Sequence, residues 1–223
     1  MNRHSRETIA WRAAADLAEG SYVNLGIGLP TLVARFVPAG REIIFQSENG
    51  VLGVGPPPPP GTEDIDLVNA GKEPITLIPG ASIFDHPASF MMLRGGHIDV
   101  ALMGAYQVAE NGDLANWATD REARPPAVGG AMDIAVGARN VHVLMEHTMR
   151  DGAPRLLRAC TYPLTAIGVV KRIYTNLAVI DVQPGAGFIV REIAGDVTRE
   201  ELERASGAAL HFAPDLKEMP RRP

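Results

Sequence analysis

Cysteine is almost absent from this chain, with Cys160 the only one in 223 residues. No disulfide can form within the chain, and a reducing compartment such as the cytoplasm is the natural expectation. Positive charge is not in excess either: 21 Lys and Arg stand against 26 Asp and Glu, a formal net charge of −5. That balance argues against general binding to nucleic acid, which asks for a basic face. No apolar run approaches the roughly 18 residues of a membrane span. The first residues, Met1-Asn2-Arg3-His4-Ser5-Arg6-Glu7, lack the greasy segment of a secretory signal. No Gly-x-Ser-x-Gly elbow is present, which removes the usual serine-hydrolase reading. The six histidines show neither a His-x-x-x-His spacing nor paired cysteines, so no metal site is expected. His97, His142 and His147 read as core or turn histidines, and Cys160 as an inert thiol.

Strand-like and helix-like segments alternate through most of the chain. Glu7 to Glu19 carries apolar residues at helical spacing, with Gly20 as a stop. Tyr22-Val23-Asn24-Leu25 reads as a strand that ends in Gly26-Ile27-Gly28, after which Pro30 opens a helix running through Leu32, Val33 and Phe36. Ile43-Ile44-Phe45 is a second short strand. Ile75 to Ile78, Ile98 to Met103, Val141 to Met145, Leu177 to Val182 and Phe188 to Ile193 are further strands. Pro87 to Arg94 and Ala131 to Ala138 are helix candidates. Thr198-Arg199-Glu200-Glu201 has the capping-box pattern that starts another. Five consecutive prolines, Pro56 to Pro60, favour a stiff exposed loop tip. No internal repeat is visible. The alternation implies a single α/β domain over 1–223, an open and mostly parallel sheet with flanking helices, in which 214–223 form a flexible tail.

The stretch around which the rest is organised is Gln46-Ser47-Glu48-Asn49-Gly50, followed by Val51-Leu52-Gly53-Val54-Gly55-Pro56. A buried strand delivers one carboxylate, Glu48, into a loop whose glycines let other molecules approach the backbone closely. The Gly26-Ile27-Gly28 turn invites a dinucleotide reading, but Thr31 stands where the third glycine belongs, and Arg41-Glu42 is a poor fit to the required acid further on. A glycine turn ahead of a helix still offers N–H groups to an anion. Lys72, in the turn Asn69-Ala70-Gly71-Lys72, reads on its own as a solvated lysine.

Ser47-Glu48-Asn49-Gly50 with Leu52-Gly53-x-Gly55-Pro56 resembles the catalytic-glutamate motif of family I coenzyme A transferases, in the B (β) subunit of the 3-oxoacid type. Other blocks agree in order: Val23 to Thr31, Asn69 to Lys72, Arg94-Gly95-Gly96-His97, Gly112 to Trp117, Gly129-Gly130-Ala131-Met132-Asp133, Met145-Glu146-His147 and Pro163-Leu164-Thr165. The resemblance covers nearly the whole chain, from about Glu7 to Ala213. The resemblance implies the CoA-transferase fold, with coenzyme A as a substrate and no tightly bound cofactor. It also implies ping-pong transfer through a transient glutamyl-CoA thioester on Glu48. Oxyanion stabilisation and positioning fall to Asn24, Gly26, Gly28, Asn49, Gly50, Gly129 and Gly130, and Lys72 would contact CoA. The partner implied is a separate A (α) subunit of similar fold in an α2β2 assembly, with succinyl-CoA and acetoacetate or 3-oxoadipate as substrates. One segment departs from the family pattern: residues 118–128 lack a Pro-Gly-Lys and a second lysine, and Arg121 or Arg124 replaces them. An acyl-CoA hydrolase using the same glutamate, or a non-catalytic assembly subunit, are the alternatives.

Overall fold

Short apolar runs bounded by glycine or proline favour strands, because they are too short to complete a stable helix. In the computed structural model, which describes residues 4–38, 40–119 and 127–222, such runs build the centre of the molecule. The strands are Tyr22–Leu25 (β1), Ile44–Ser47 (β2), Val51–Val54 (β3), Leu77–Ile83 (β4), Val100–Met103 (β5), Gln107–Ala109 (β6), Leu114–Ala115 (β7), Asn140–Leu144 (β8), Leu156–Leu157 (β9), Val170–Tyr174 (β10), Ala178–Gln183 (β11), Gly187–Ala194 (β12) and Leu210–Met219 (β13). The helices are Arg6–Ala15 (α1), His86–Arg94 (α2), Ala131–Gly137 (α3) and Arg199–Arg204 (α4). Ten strands form one sheet in the order β13-β12-β11-β10-β8-β5-β1-β2-β3-β4, and β7-β6-β9 form a small second sheet.

From β10 through β8, β5 and β1 to β2 the pairing is parallel, while β2-β3-β4 and β10-β11-β12 are antiparallel flanks. Chain direction therefore brings the carboxyl ends of β1, β2, β5 and β8 to one edge. The chain leaves β1 toward β2 on one side, while β5 lies on the other, so β1 and β5 meet at a topological switch point. In open α/β sheets, ligands bind outside the strand ends at such points.

Side chains alternate across the sheet. In β5, Val100 and Leu102 face a cluster with Ile9, Ala13, Val23 and Val33 under α1, whereas Ala101 and Met103 face Phe90, Leu93 and Ile134 under α2 and α3. Each fully buried Ile, Leu or Val contributes about 1.5–3 kcal/mol relative to exposure. Helix α1 starts at Ser5, whose hydroxyl accepts from Thr8 N, and stops four residues earlier than its apolar spacing suggests. Asp16 is drawn off the helix end toward the sheet by Tyr174 and Arg172. The segment Leu29–Phe36 is a 3-10 helix rather than the α-helix its spacing suggests: Thr31 N and Thr31 Oγ1 both reach Gly28 O, which tightens the first turn.

The end of the chain corrects the sequence reading. Residues 214–219, expected as tail, continue β13, which pairs in parallel with β12 from Phe188↔Leu210 to Ala194↔Met219. Without it the outer edge of β12 would lie open. An edge strand needs few apolar residues, here Leu210, Ala213 and Met219, and tolerates Pro214. The capping box at Thr198 and Glu201 forms as expected. Residues 120–126, including Arg121 and Arg124, lie outside the described residues.

Beneath α1 lies a connected set of charges. Asp16 accepts hydrogen bonds from Arg12 (2.6 Å), Tyr174 (2.8 Å) and Arg172 (2.9 Å). Arg12 also grips Glu192, and Arg172 and Arg191 share Asp181. Burial alone would raise the Asp16 carboxyl, but the bonds from Arg12 and Tyr174 and the charges of Arg12 and Arg172 hold it below the usual carboxylate range. Its stabilising contribution is thus present above the ordinary aspartate pKa and is lost as pH falls through the depressed value. Asp16→Asn is expected to cost about 2–3 kcal/mol at neutral pH. The urea-unfolding gap between variant and wild type should shrink as the medium is acidified below the ordinary aspartate range.

Candidate active site

Strand β2 runs antiparallel to β3, with Ser47 opposite Val51, so Glu48, Asn49 and Gly50 are the three residues of the connecting loop. The Gly50 N–H donates to Ser47 O at 3.0 Å and closes the loop. Gly50 has φ 118°, and a Cβ there would run into the Phe84 carbonyl oxygen. Phe84 N returns a hydrogen bond to Gly50 O. No residue but glycine fits this position, and the contact seats the loop against the segment that leads into α2.

The two sides of the hairpin are held differently. On one, Ser47 Oγ accepts from Ala70 N (2.9 Å) and Asn49 Nδ2 donates to Val68 O (2.8 Å), which pins the turn carrying Lys72. Asn69 builds that turn, bonding Glu73 through backbone and side chain. Lys72 is exposed and holds φ 63°, unusual outside glycine. On the other side, the fully buried Gln46 accepts from Asn24 Nδ2 (2.6 Å) and donates to Ser89 Oγ (2.7 Å), joining β1, β2 and α2. One hydrogen of the Asn24 amide is committed to Gln46, while its buried Oδ1 has no hydrogen-bond partner.

Glu48 extends toward α2 and α3. An ideal Cβ on Gly130, the residue preceding α3, would lie 3.2 Å from Glu48 Oε1 and 2.5 Å from Phe90 Cζ. The missing side chain is what allows the carboxylate to rest there. Arg94 of α2 grips Asp133 of α3 through two hydrogen bonds (2.8 and 3.0 Å), and Gly137 lets the two helices touch at Leu93. Burial raises the Glu48 carboxyl above its ordinary value, and the charge of His86 opposes that rise. A carboxylate stripped of part of its water and placed at a strand end is suited to nucleophilic attack.

The structure sorts the sequence-predicted residues. Glu48, Asn49, Gly50 and Gly130 come together around the hairpin tip, Asn24 joins through Gln46, and Lys72 through its pinned turn. Gly26 needs correcting as an amide donor: its N–H is spent on Leu102 O (2.8 Å) in the β1–β5 pairing, and a Cβ would lie 2.7 Å from that oxygen. Gly50 likewise spends its N–H within the hairpin, so its part is to position. Gly28 takes φ 89°, and the space around the exposed Gly129 is open. Other quoted blocks also converge on this edge. Asn116 Nδ2 donates to Gly104 O and accepts from Thr165 through Oδ1, and Trp117 Nε1 donates to Leu164 O.

The sequence reading gave no individual role to Gln46, Ser89, Phe90, His86 or the Arg94–Asp133 pair, although Gln46, Arg94 and Asp133 stand in the quoted blocks; a glutamine at the end of an apolar strand two residues before Glu48 was the available signal. His147 is a satisfied core histidine, with Thr175 and Ser206 on its two ring nitrogens. The Cys160 thiol is pushed up to about 11, chiefly by burial. Among the described residues there is no cluster of three or more His, Cys, Asp or Glu able to hold a metal, and no helix is long and apolar enough to cross a membrane. A cleft of about 230 Å³ opens beside the hairpin, bordered by Thr31, Arg35, Pro57, Pro58 and Glu73, so the proline run edges a cavity.

Gly50→Ala is expected to lower stability by about 2 kcal/mol or more, because it combines a forbidden φ with a backbone collision. Lys72→Gly, by contrast, relieves a left-handed lysine and should leave the unfolding free energy, read from urea titration, unchanged or raised by up to about 1 kcal/mol.

Residues 6–204 match the family described as coenzyme A transferase. The chain is 54% identical over 206 residues to the B chain of 3-oxoadipate CoA-transferase from Pseudomonas putida, covering 92% of this chain and 96% of that protein. It is 49% identical to the corresponding chain of succinyl-CoA:3-ketoacid coenzyme A transferase from Helicobacter pylori, over 91% of this chain and 97% of that one. Among solved structures, an acyl-CoA transferase from Escherichia coli O157:H7 superposes with a TM-score of 0.76 at 19% identity, covering 98% of this chain and 43% of that one. Glutaconate coenzyme A-transferase from Acidaminococcus fermentans superposes with a TM-score of 0.71 at 17% identity, over 100% of this chain and 91% of that chain. The fold, the glutamate hairpin at the strand ends and a match over most of the chain agree: this protein belongs to the coenzyme A transferase family.

Proposed function

We propose that the chain is the catalytic B (β) subunit of a 3-oxoacid CoA-transferase, working with a separate A (α) subunit in an α2β2 assembly in the cytoplasm. It moves CoA from an acyl-CoA such as succinyl-CoA to a 3-oxoacid such as acetoacetate or 3-oxoadipate. The relatives, each named as one subunit of a 3-oxoadipate or succinyl-CoA:3-ketoacid transferase, support the substrate class and the partner. The observation that carries the mechanism is the Glu48 carboxylate resting at the hairpin tip against Gly130.

The Glu48 carboxylate attacks the thioester carbonyl of the acyl-CoA, forming a mixed anhydride as the C–S bond breaks and CoA leaves as thiolate. The thiolate then attacks the glutamyl carbonyl of that anhydride, giving a glutamyl-CoA thioester and the first free acid. The second acid attacks the glutamyl thioester, again releasing thiolate, which takes the new acyl group and restores Glu48. No proton need be moved, so a carboxylate suffices. Each tetrahedral intermediate carries an oxyanion, and one well-placed donor lowers such a barrier by roughly 3–4 kcal/mol. The remaining Asn24 amide hydrogen and the N–H groups of Gly28, Gly129 and Gly130 are the candidate donors. Asn49 and Gly50 hold the loop. Lys72 meets the cofactor's phosphate or pantetheine portion from the pinned turn. The chain acts as one domain, and CoA is substrate rather than resident cofactor.

Mass spectrometry of the reconstituted two-subunit enzyme after incubation with succinyl-CoA should find CoA bound through a thioester on the peptide containing Glu48. Turnover that requires no acid acceptor would point to hydrolysis instead. Glu48→Gln should abolish the adduct and reduce transfer by at least about 10⁴-fold. The same variant should melt no lower than wild type: a carboxyl whose pKa is raised on folding opposes folding once it ionises, and the amide removes that cost. Gly130→Ala should leave the fold in place but displace Glu48 and Phe90, lowering adduct formation by about 100-fold.

A further inference from the structure

Two amides interrupt the apolar layer beneath α2. Asn24 and Gln46 stand opposite each other where β1 pairs with β2, and Ala101, the partner of Asn24 on β5, packs in the same cluster as Phe90 and Leu93. Asn24, Gln46 and Ser89 of α2 are each 0% exposed. Amides withdrawn from water this completely need partners inside the protein. They find them in one direction: Asn24 Nδ2 donates to Gln46 Oε1 at 2.6 Å, and Gln46 Nε2 donates to Ser89 Oγ at 2.7 Å.

The far end of this relay is anchored. Ser89 N donates to Asp85 O in the first turn of α2, and Asp85 caps that turn by accepting from Ala88 N. With Ser89 Oγ on one side, the Gln46 amide is fixed end for end, and its oxygen faces Asn24. That assigns Asn24 Nδ2 to the relay and leaves its second hydrogen uncommitted. The cost is visible, since Asn24 Oδ1 is buried with no hydrogen-bond partner. A group left so in an otherwise bonded core calls for a reason other than stability, and use in the reaction is one.

We propose that Gln46 and Ser89 are positioning residues for the transfer reaction and act through Asn24. They hold its amide so that the uncommitted Nδ2 hydrogen serves the oxyanion formed on the glutamyl carbon. This rests on the reading of Glu48 as the nucleophile and of Asn24 as a donor. Gln46 lies two residues before Glu48 in the chain, and Ser89 immediately precedes Phe90, whose ring borders Gly130 together with Glu48 Oε1. Both residues thus adjoin the elements that seat the carboxylate. When thiolate or the second acid attacks the glutamyl carbonyl, the oxyanion is an oxygen of Glu48 itself, so its donor can work from inside the protein. A hydrogen bond weakens steeply once donor and acceptor are misaligned, which makes the orientation of the Asn24 amide matter.

The test measures single-turnover rates in the reconstituted two-subunit enzyme, both for formation of glutamyl-CoA from succinyl-CoA and for its discharge by acetoacetate. Asn24→Ala removes the donor, Gln46→Met keeps the bulk of the side chain without its amide, and Ser89→Ala removes the anchoring hydroxyl. Asn24→Ala is expected to slow both steps about 100-fold. Gln46→Met and Ser89→Ala should each slow them about 10-fold, with the KM for succinyl-CoA within about two-fold of wild type. In the Asn24→Ala background either change should cost less than about two-fold more, because both act through the same amide. Ser89→Ala places a strong helix former in α2, so the test does not rest on the folding of Gln46→Met. Wild-type rates in Ser89→Ala beside a slow Asn24→Ala, or losses that multiply with that of Asn24→Ala, overturn the proposal. So does an effect confined to the urea midpoint, which would leave the relay a structural tie. Wild-type rates in Asn24→Ala overturn the donor reading as well, and absence of any adduct in wild type overturns the nucleophile assignment.

Discussion

The contact of Gly50 with the backbone at Phe84 is the constraint on which the rest of the site depends. Two main chains meet there at a distance no side chain permits, with a hydrogen bond from Phe84 N to Gly50 O as the return. The hairpin tip is thereby joined to the segment that becomes α2 two residues later. Glu48, Asn24 through Gln46 and Ser89, and the stripe of His86, Phe90 and Arg94 are all placed relative to that junction. A nucleophile must be held to a fraction of an ångström to act at a useful rate. Here the holding is done mainly by backbone and by a buried amide relay, not by ion pairs to the carboxylate itself.

Such an arrangement leaves Glu48 poorly solvated and lightly paired, which is costly to the fold and useful to the reaction. The surrounding structure shows where stability comes from instead. Two apolar clusters sandwich the parallel strands, and the network of Arg12, Asp16, Tyr174, Arg172, Asp181 and Arg191 lies on the far side of the sheet from α2. Charges are satisfied there with several hydrogen bonds each. At the strand ends they are not. Separating the two tasks lets the site keep an unpaired carboxylate on an otherwise well-bonded scaffold.

Most of the architecture was legible in the chain itself. β1, β11 and β12 lie within a residue or two of their apolar runs, and the capping box at Thr198 and Glu201 starts α4 as its pattern requires. What failed did so for tertiary reasons. β13 looks like tail because an edge strand has one flank of solvent and needs little alternation. Asp16 ends α1 early because partners from β10, distant in sequence, pull on it. Gly26 looks like a free amide until β5 arrives to take its N–H.

Local chemistry determined by itself that this chain makes an α/β sheet and that Glu48 stands in a glycine-rich turn just past a buried strand, because hydrophobic period and glycine placement act over a few residues. The ordered blocks carried the family resemblance. Only the folded chain decided which groups surround the carboxylate. Gln46 meeting Ser89, Gly130 clearing space over Phe90 and beside Glu48, and Arg94 gripping Asp133 all join residues about 40 or more positions apart. Such meetings depend on strand order and helix packing, which no short-range pattern encodes.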